Sequence, residues 1–244
     1  MIKIVLALML FAILGMAKSV SLEAMEKDII KTSSGDLEIT FIGHASLMFK
    51  INGKIIHIDP CGDEGDYTKL PKADMVLFTH DHSDHMDPAA LKKIRTDNTA
   101  IVYTKKCAAK IPGGTVMNNG DVKTMLGIKI EAVPAYNIIH KRNDGQLFHP
   151  KSDGNGYVMT IGDKRVYVAG DTENTPELKS LKNIDVAFLP MNLPYTMTPE
   201  MVADAANAFK PKILYPYHFG DTDTSILGKL LKGSSTEIRI RKMK

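Results

Sequence analysis

Seven consecutive residues, Thr79-His80-Asp81-His82-Ser83-Asp84-His85, constrain this chain more than any other part of it. Three imidazoles and two carboxylates are crowded together directly after the apolar stretch Met75-Val76-Leu77-Phe78. A solvated turn has no need of three histidines at this spacing. A divalent cation does, because neutral imidazole and carboxylate are the ligands that zinc and its neighbours in the first transition row prefer. Residues 74–79 read as a short buried strand that delivers the chain into the run. His80 and His82, two apart, reach one ion if the chain leaves the strand in a tight loop. Asp84 and His85 then turn toward a second ion beside it.

A pair of ions needs ligands from beyond one loop. Asp171, in Ala169-Gly170-Asp171-Thr172, ends a hairpin pattern in the second half of the chain, where a carboxylate can bridge two ions. Its blander reading is a turn or helix-capping aspartate. His218, in Tyr215-Pro216-Tyr217-His218-Phe219-Gly220, follows another strand pattern, and its blander reading is a core histidine. The two are weighed jointly, because together they supply what the histidine run lacks. His44 and Asp59 are candidates to orient a ligating imidazole from behind, with a core histidine and a turn aspartate as the alternatives. Asp81 is read as supporting the cluster from outside, and His57, inside a strand, as structural.

The remainder reads as strands that end in polar clusters. Residues 24–36 are polar and close in the turn Ser33-Ser34-Gly35-Asp36; Leu37 to Ile42 then makes the first strand. Ala45 to Phe49 and Ile55 to Ile58 flank Asn52-Gly53, a pair suited to a two-residue hairpin turn. Asp87 as N-cap and Pro88 at the first position open a helix to Ile94, and Ile101 to Tyr103 is another strand. The second half repeats the grammar. Tyr157 to Ile161, the turn Gly162-Asp163, and Val166 to Ala169 form a hairpin, and Val186 to Leu189 a buried strand. Thr198-Pro199-Glu200 opens a helix to about Phe209, and Ile213 to Tyr215 leads toward His218. No linker separates the halves, so the expectation is one α/β domain over residues 24–244 in two similar halves. The basic end, Arg239 to Lys244, reads as an edge strand or a frayed tail.

Charge and composition exclude little else. The chain has 244 residues, enough for one large core, and a net charge of +3 with no Lys/Arg block, which argues against nucleic acid as a partner. Lys3, the apolar run Ile4 to Ala17, and Lys18-Ser19 have the form of a secretory signal peptide over residues 1–19. The run is shorter than the roughly 20 residues of a spanning helix. The expectation is therefore an exported, periplasmic or extracellular protein without stable membrane insertion after cleavage. Cys61 and Cys107 lie outside any CxxC pair and are read as buried thiols, with their pairing left open.

The set Gly43-His44-Ala45-Ser46, Ile58-Asp59-Pro60, Thr79 to His85, Gly170-Asp171-Thr172 and Tyr215 to His218 resembles the metallo-β-lactamase superfamily over roughly residues 37–220. It is most similar to the branch of ascorbate-6-phosphate lactonase and the N-acylphosphatidylethanolamine phospholipase D type. The resemblance implies a four-layer αββα sandwich. It puts His80 and His82 on a first metal, Asp84, His85 and His218 on a second, and Asp171 between them, with Asp84 and Asp171 taking part in catalysis. The family also carries a histidine after a Pro-Ala-aromatic turn, but here Pro134-Ala135-Tyr136 is followed by Asn137. His140 and His149 are the imidazoles nearby. His149 is favoured, because Pro150 restricts it to extended backbone whereas His140 opens a polar stretch. The implied cofactors are two divalent ions, zinc before manganese or iron. The implied reaction is hydrolysis of an ester, lactone or phosphodiester of a small molecule by metal-bound hydroxide, without a serine or cysteine nucleophile. The alternatives are an exported β-lactamase-like amide hydrolase and a metal-binding protein without turnover. Oligomeric state is not legible.

Overall fold

Each half of the chain begins with antiparallel strands, joined by short turns except for residues 136–153 between β9 and β10, and ends with parallel strands joined by longer crossovers. The computed structural model describes residues 22–244, and the signal-peptide reading lies outside the described residues. The first half contains β1 (Glu26–Thr32), β2 (Gly35–Gly43), β3 (Ser46–Ile51), β4 (Lys54–Ile58), β5 (Met75–Leu77), α1 (Pro88–Ile94), β6 (Ala100–Tyr103), α2 (Lys105–Ala108) and β7 (Thr115–Val116). The second contains β8 (Val122–Met125), β9 (Ile128–Ala135), β10 (Gly154–Ile161), β11 (Lys164–Val168), α3 (Pro176–Lys179), β12 (Val186–Pro190), α4 (Pro199–Phe209), β13 (Ile213–Tyr217), α5 (Leu227–Leu230) and β14 (Glu237–Ile238). Two seven-stranded sheets result, each with its strands in chain order. In each, the first four strands pair antiparallel and the rest parallel. The halves are thus alike in topology.

Alternation along the strands sorts side chains into layers. Met75 and Leu77 of β5 face inward, where Leu47, Phe49 and Ile56 meet Ile130, Tyr157, Phe188 and Tyr215 of the other sheet. Val76 and Phe78 face the opposite way, onto Leu91 and Ile94 of α1 and Cys107 of α2. On the far side, Val202, Ala206 and Phe209 of α4 cover Tyr167, Ala187 and Leu189. The order helix, sheet, sheet, helix is the four-layer sandwich that the resemblance implies.

Caps set the helices as their sequences suggest. Asp87 accepts a hydrogen bond from Ala89 N at 2.7 Å ahead of Pro88, and Thr198 accepts one from Met201 N at 3.2 Å ahead of Pro199. The turn Asn52-Gly53 has φ of 50° and 75°, the sign a two-residue hairpin requires.

Two expectations need correction. Residues 24–36 are not merely polar: Glu26–Thr32 is a strand paired along its whole length with β2, so Leu37 to Ile42 belongs to the second strand. Its polarity follows from its place at the sheet edge, where only Ile30 is buried. The basic end is neither an edge strand nor frayed. Strand β14 stops at Ile238; beyond it Arg241 pairs with both carboxylate oxygens of Asp28 (2.8 and 2.7 Å), and Met243 is buried.

Candidate metal centre

The two sheets contribute one set of loops each to a common cluster, and these loops follow the ends of β4, β5, β9, β11 and β13, as is usual for sites on parallel sheets. From the first sheet, the loop after β5 carries His80, His82, Asp84 and His85. It is drawn tight because both His85 N and Met86 N donate to His82 O, at 3.1 and 2.8 Å. From the second, Asp171 follows β11 and His218 follows β13. Gly170 makes the approach possible: its φ is 65°, and a Cβ there would lie 2.8 Å from Cβ of Thr79. Its N–H donates to the Tyr217 hydroxyl at 2.9 Å, tying the end of β11 to the end of β13.

The ligand atoms fall into overlapping groups. Those of His80, His82 and His149 lie within 4.8 Å of one another, as do those of His80, His85 and Asp171, and those of His44, Asp84, His85 and His218. Asp171 stands between the sets. Its Oδ2 is 3.2 Å from His149 Nε2 and 4.0 Å from His80 Nε2, while its Oδ1 is 3.2 Å from His85 Nε2 and 3.4 Å from His218 Nε2. The structure therefore brings His80, His82, Asp84, His85, His149, Asp171 and His218 together. It does not bring in His140, whose Nδ1 donates instead to Glu173 at 2.8 Å.

Supporting residues set which ring nitrogen faces the cluster. Buried Asp59 accepts hydrogen bonds from Thr79 N (2.7 Å), Thr79 Oγ1 (2.6 Å) and His85 Nδ1 (2.8 Å). Since the Thr79 hydroxyl donates to Asp59, it accepts from His80 Nδ1 at 3.1 Å. Both imidazoles thus keep Nε2 for the cluster. His44 Nε2 lies 3.3 Å from Asp84 Oδ2, and its ring packs 3.7 Å from that of His218. His44, Asp59 and His218 all have left-handed backbone (φ 49°, 45° and 45°), a local cost of the kind that collects at functional sites. Asp81 pairs outward with Lys110 at 2.8 Å. His57 donates to Pro71 O at 3.1 Å, and burial lowers its pKa to about 4, in keeping with a structural role. Cys61 and Cys107 are both free and buried.

The carboxylates and imidazoles of the cluster hold one another's charge states. Burial disfavours an ionised Asp171, but His218 and His85 beside it outweigh that and hold its carboxyl well below the usual range. Burial likewise opposes ionised Asp84, yet hydrogen bonds with His218 and His44 keep it well below the usual range. His85 is the counterpart: burial disfavours its charge, but Asp171 and Asp59 push its pKa well above that of an ordinary histidine. Burial, reinforced by His85, pushes His80 the other way.

Residues 38–218 match the β-lactamase superfamily domain. The UPF0173 metal-dependent hydrolase of Methanopyrus kandleri is 30% identical over 195 residues, covering 75% of this chain and 84% of its own. The chain belongs to the metallo-β-lactamase superfamily, among its metal-dependent hydrolases. Solved structures agree with that. A Parabacteroides distasonis protein classed with the metal-dependent hydrolases is 47% identical, with a TM-score of 0.87 over 90% of this chain and 100% of that one. A metallo hydrolase from Ignicoccus hospitalis, 23% identical over 85% of this chain and 95% of its own, shares the fold with a TM-score of 0.68.

The residues present fit the metal on which such hydrolases depend. Nine buried side-chain nitrogen or oxygen atoms among the described residues lack a hydrogen-bond partner. Five of them are in this cluster: Nε2 of His80, Nε2 of His85, Oδ1 of Asp171 and both ring nitrogens of His218. Buried polar atoms are ordinarily paired, and an unpaired one costs about 1–3 kcal/mol. A divalent cation satisfies lone pairs that no donor reaches, and on His218 that is one nitrogen only, Nε2, which faces Asp84 and Asp171.

Two residues of the site carry no strong signal in the sequence. Asn137 stands out only as the place of an absent histidine, yet its side chain contacts His149. Glu173 is fully buried against Asn137 and His140. The available clue was its place two residues after Asp171.

Proposed function

We propose that this hydrolase is binuclear, with His80, His82 and His149 on one divalent ion, Asp84, His85 and His218 on the other, and Asp171 shared. We further propose that it cleaves an ester, lactone or phosphodiester bond in a small molecule. The observation that carries this reading is the division of Asp171, one carboxylate oxygen facing His149 and the other facing His85 and His218. Zinc suits this mixture of imidazole and carboxylate best, with manganese or iron next. When bound, the ions supply an activated water and neutralise charge that develops on the substrate.

The chain's own residues do the rest. Asp171, nearly inaccessible, keeps the two ligand sets at one spacing. Asp84 is the accessible carboxylate, its side chain 47% exposed, and it lines a cavity of about 610 Å³ at the mouth. From there it can take a proton from incoming water and pass it to the leaving group, holding it only in passing. The cavity is of the size that small-molecule sites have. Phe148 and Tyr195, edge to face at 5.0 Å, line it and offer an apolar surface to the non-reacting part of the substrate. The shared aspartate and the motif set support the lactonase and phospholipase D type branch over a β-lactamase role.

Elemental analysis of protein purified without chelator should find two ions per chain. His82→Ala and Asp84→Ala should each abolish turnover of the best substrate in a phosphodiester, lactone and β-lactam panel, with circular dichroism unchanged. Metal content near zero after reloading, or activity retained in both variants, would overturn the reading.

A further inference from the structure

Behind His149 lies a closed chain of hydrogen bonds that no ligand assignment requires. Asn137, 1% exposed, uses all of its side-chain capacity. Its Nδ2 donates to Glu173 Oε1 at 3.0 Å and to the Tyr195 carbonyl at 2.8 Å. Its Oδ1 accepts from His149 N at 2.8 Å and from His149 Nδ1 at 2.7 Å. Its own N–H donates back to His149 O at 2.8 Å. The amide has only one orientation open to it, because a carboxylate and a carbonyl can only accept. With Nδ2 so committed, Oδ1 must face His149, and an amide oxygen can only accept. His149 Nδ1 must therefore carry the proton. The lone pair is left on Nε2, which faces Asp171 Oδ2 at 3.2 Å and the imidazoles of His80 and His82.

Glu173 is what keeps this arrangement from relaxing. It is fully buried, and five donors converge on it: Asn137 Nδ2, the N–H groups of Ile138 and Ile139 at 2.7 Å each, His140 N at 2.7 Å and His140 Nδ1 at 2.8 Å. The turn after β9 is thus wound around one carboxylate. The apparent gap at Asn137 and the stray imidazole of His140 both belong to the device.

We propose that Glu173 and Asn137 are positioning residues, which hold His149 as its Nδ1–H tautomer with Nε2 presented to the metal. This rests on the reading of His149 as a ligand. It parallels what Asp59 does for His85, with a neutral amide inserted between carboxylate and imidazole. The consequence is that Asn137 acts on metal affinity without touching the metal. Loss of such a support typically weakens binding by roughly 10–100-fold.

The test measures zinc affinity by chelator competition on the full chain for wild type, His149→Ala, Asn137→Leu and Glu173→Gln. It is paired with long-range proton–nitrogen spectra of the wild-type histidine rings. Asn137→Leu is expected to lose roughly 10–100-fold in zinc affinity, and the wild-type spectrum to show a proton on His149 Nδ1. If His149→Ala loses zinc while folded Asn137→Leu stays within twofold of wild type, whatever its melting temperature, the positioning role is wrong and the ligand reading stands. Unchanged affinity in His149→Ala would overturn the ligand reading and this proposal with it. A proton found on Nε2 in the wild type overturns the proposal even if no variant folds.

Discussion

Replacing Asp59 by asparagine should disable one imidazole while leaving the fold in place. Asp59 is fully buried and accepts from Thr79 N, Thr79 Oγ1 and His85 Nδ1. Its φ of 45° is one that asparagine tolerates, so the backbone contributes nothing to the loss. The new amide oxygen can still accept from Thr79 N. Its nitrogen must then face the Thr79 hydroxyl, which can rotate, and His85 Nδ1, which cannot. His85 avoids two opposed donors only by moving its proton to Nε2, where it points at Asp171 Oδ1, 3.2 Å away, in place of a lone pair. A hydrogen bond to a charged group is worth about 1.5–3 kcal/mol. At about 1.4 kcal/mol per factor of ten, that is roughly 10–100-fold in metal affinity. Asp59→Ala should show the same loss of affinity and a further drop of about 2–5 kcal/mol in stability, about 1–3 for stranding the buried Thr79 N–H and about 1–2 for alanine in left-handed backbone. Chelator competition with zinc, read beside urea denaturation, separates the two effects. A folded Asp59→Asn protein that binds zinc within twofold of wild type would refute the reasoning.

Gly170→Ala should cost about 1–2 kcal/mol for left-handed backbone, and about as much again for crowding Thr79, with activity lost as Asp171 shifts; a urea-measured loss below about 1 kcal/mol would contradict this. Asp28→Asn should cost about 1 kcal/mol at pH 7, since it breaks a partly buried pair in which Arg241 Nη2 contacts both carboxylate oxygens. Burial raises the Asp28 pKa, but hydrogen bonds from Arg241 and Tyr215 more than offset this and lower it in the folded protein. Its contribution is therefore complete above the unfolded value of about 3.9 and fades as pH falls through the folded value. The gap between wild type and variant should close in unfolding curves at acid pH, and a gap that widens there would count against the pairing. Protein made in a bacterial host with a working secretion pathway should begin near Lys18 or Val20 by N-terminal sequencing, and a full-length chain confined to the cytoplasm would oppose export.

What the sequence determined by itself was whatever depends on near neighbours in the chain. The run His80 to His85 concentrates ligands within one loop, so its chemistry shows without a fold. The turn Asn52-Gly53 and the caps at Asp87 and Thr198 act over two to four residues, and those elements lie where local propensity puts them. Strand β1 is not legible in the sequence because an edge strand carries polar residues on its open side, which blurs the alternation that marks a strand. The hairpin of β8 and β9 turns at Leu126-Gly127, a weaker signal than Asn-Gly, with β8 largely exposed. Tertiary structure alone decided which distant groups meet. The side chains of His149 and His140 differ in role because one approaches Asp171 and the other Glu173, each across more than twenty positions of sequence. Asn137 reads as a defect in one dimension and as a fully bonded amide in three. The physical reason is the same throughout: caps and turns are set by bonds between residues two to four apart in the chain, whereas the tautomer of a buried imidazole is set by whichever acceptor the packed sheets bring against it.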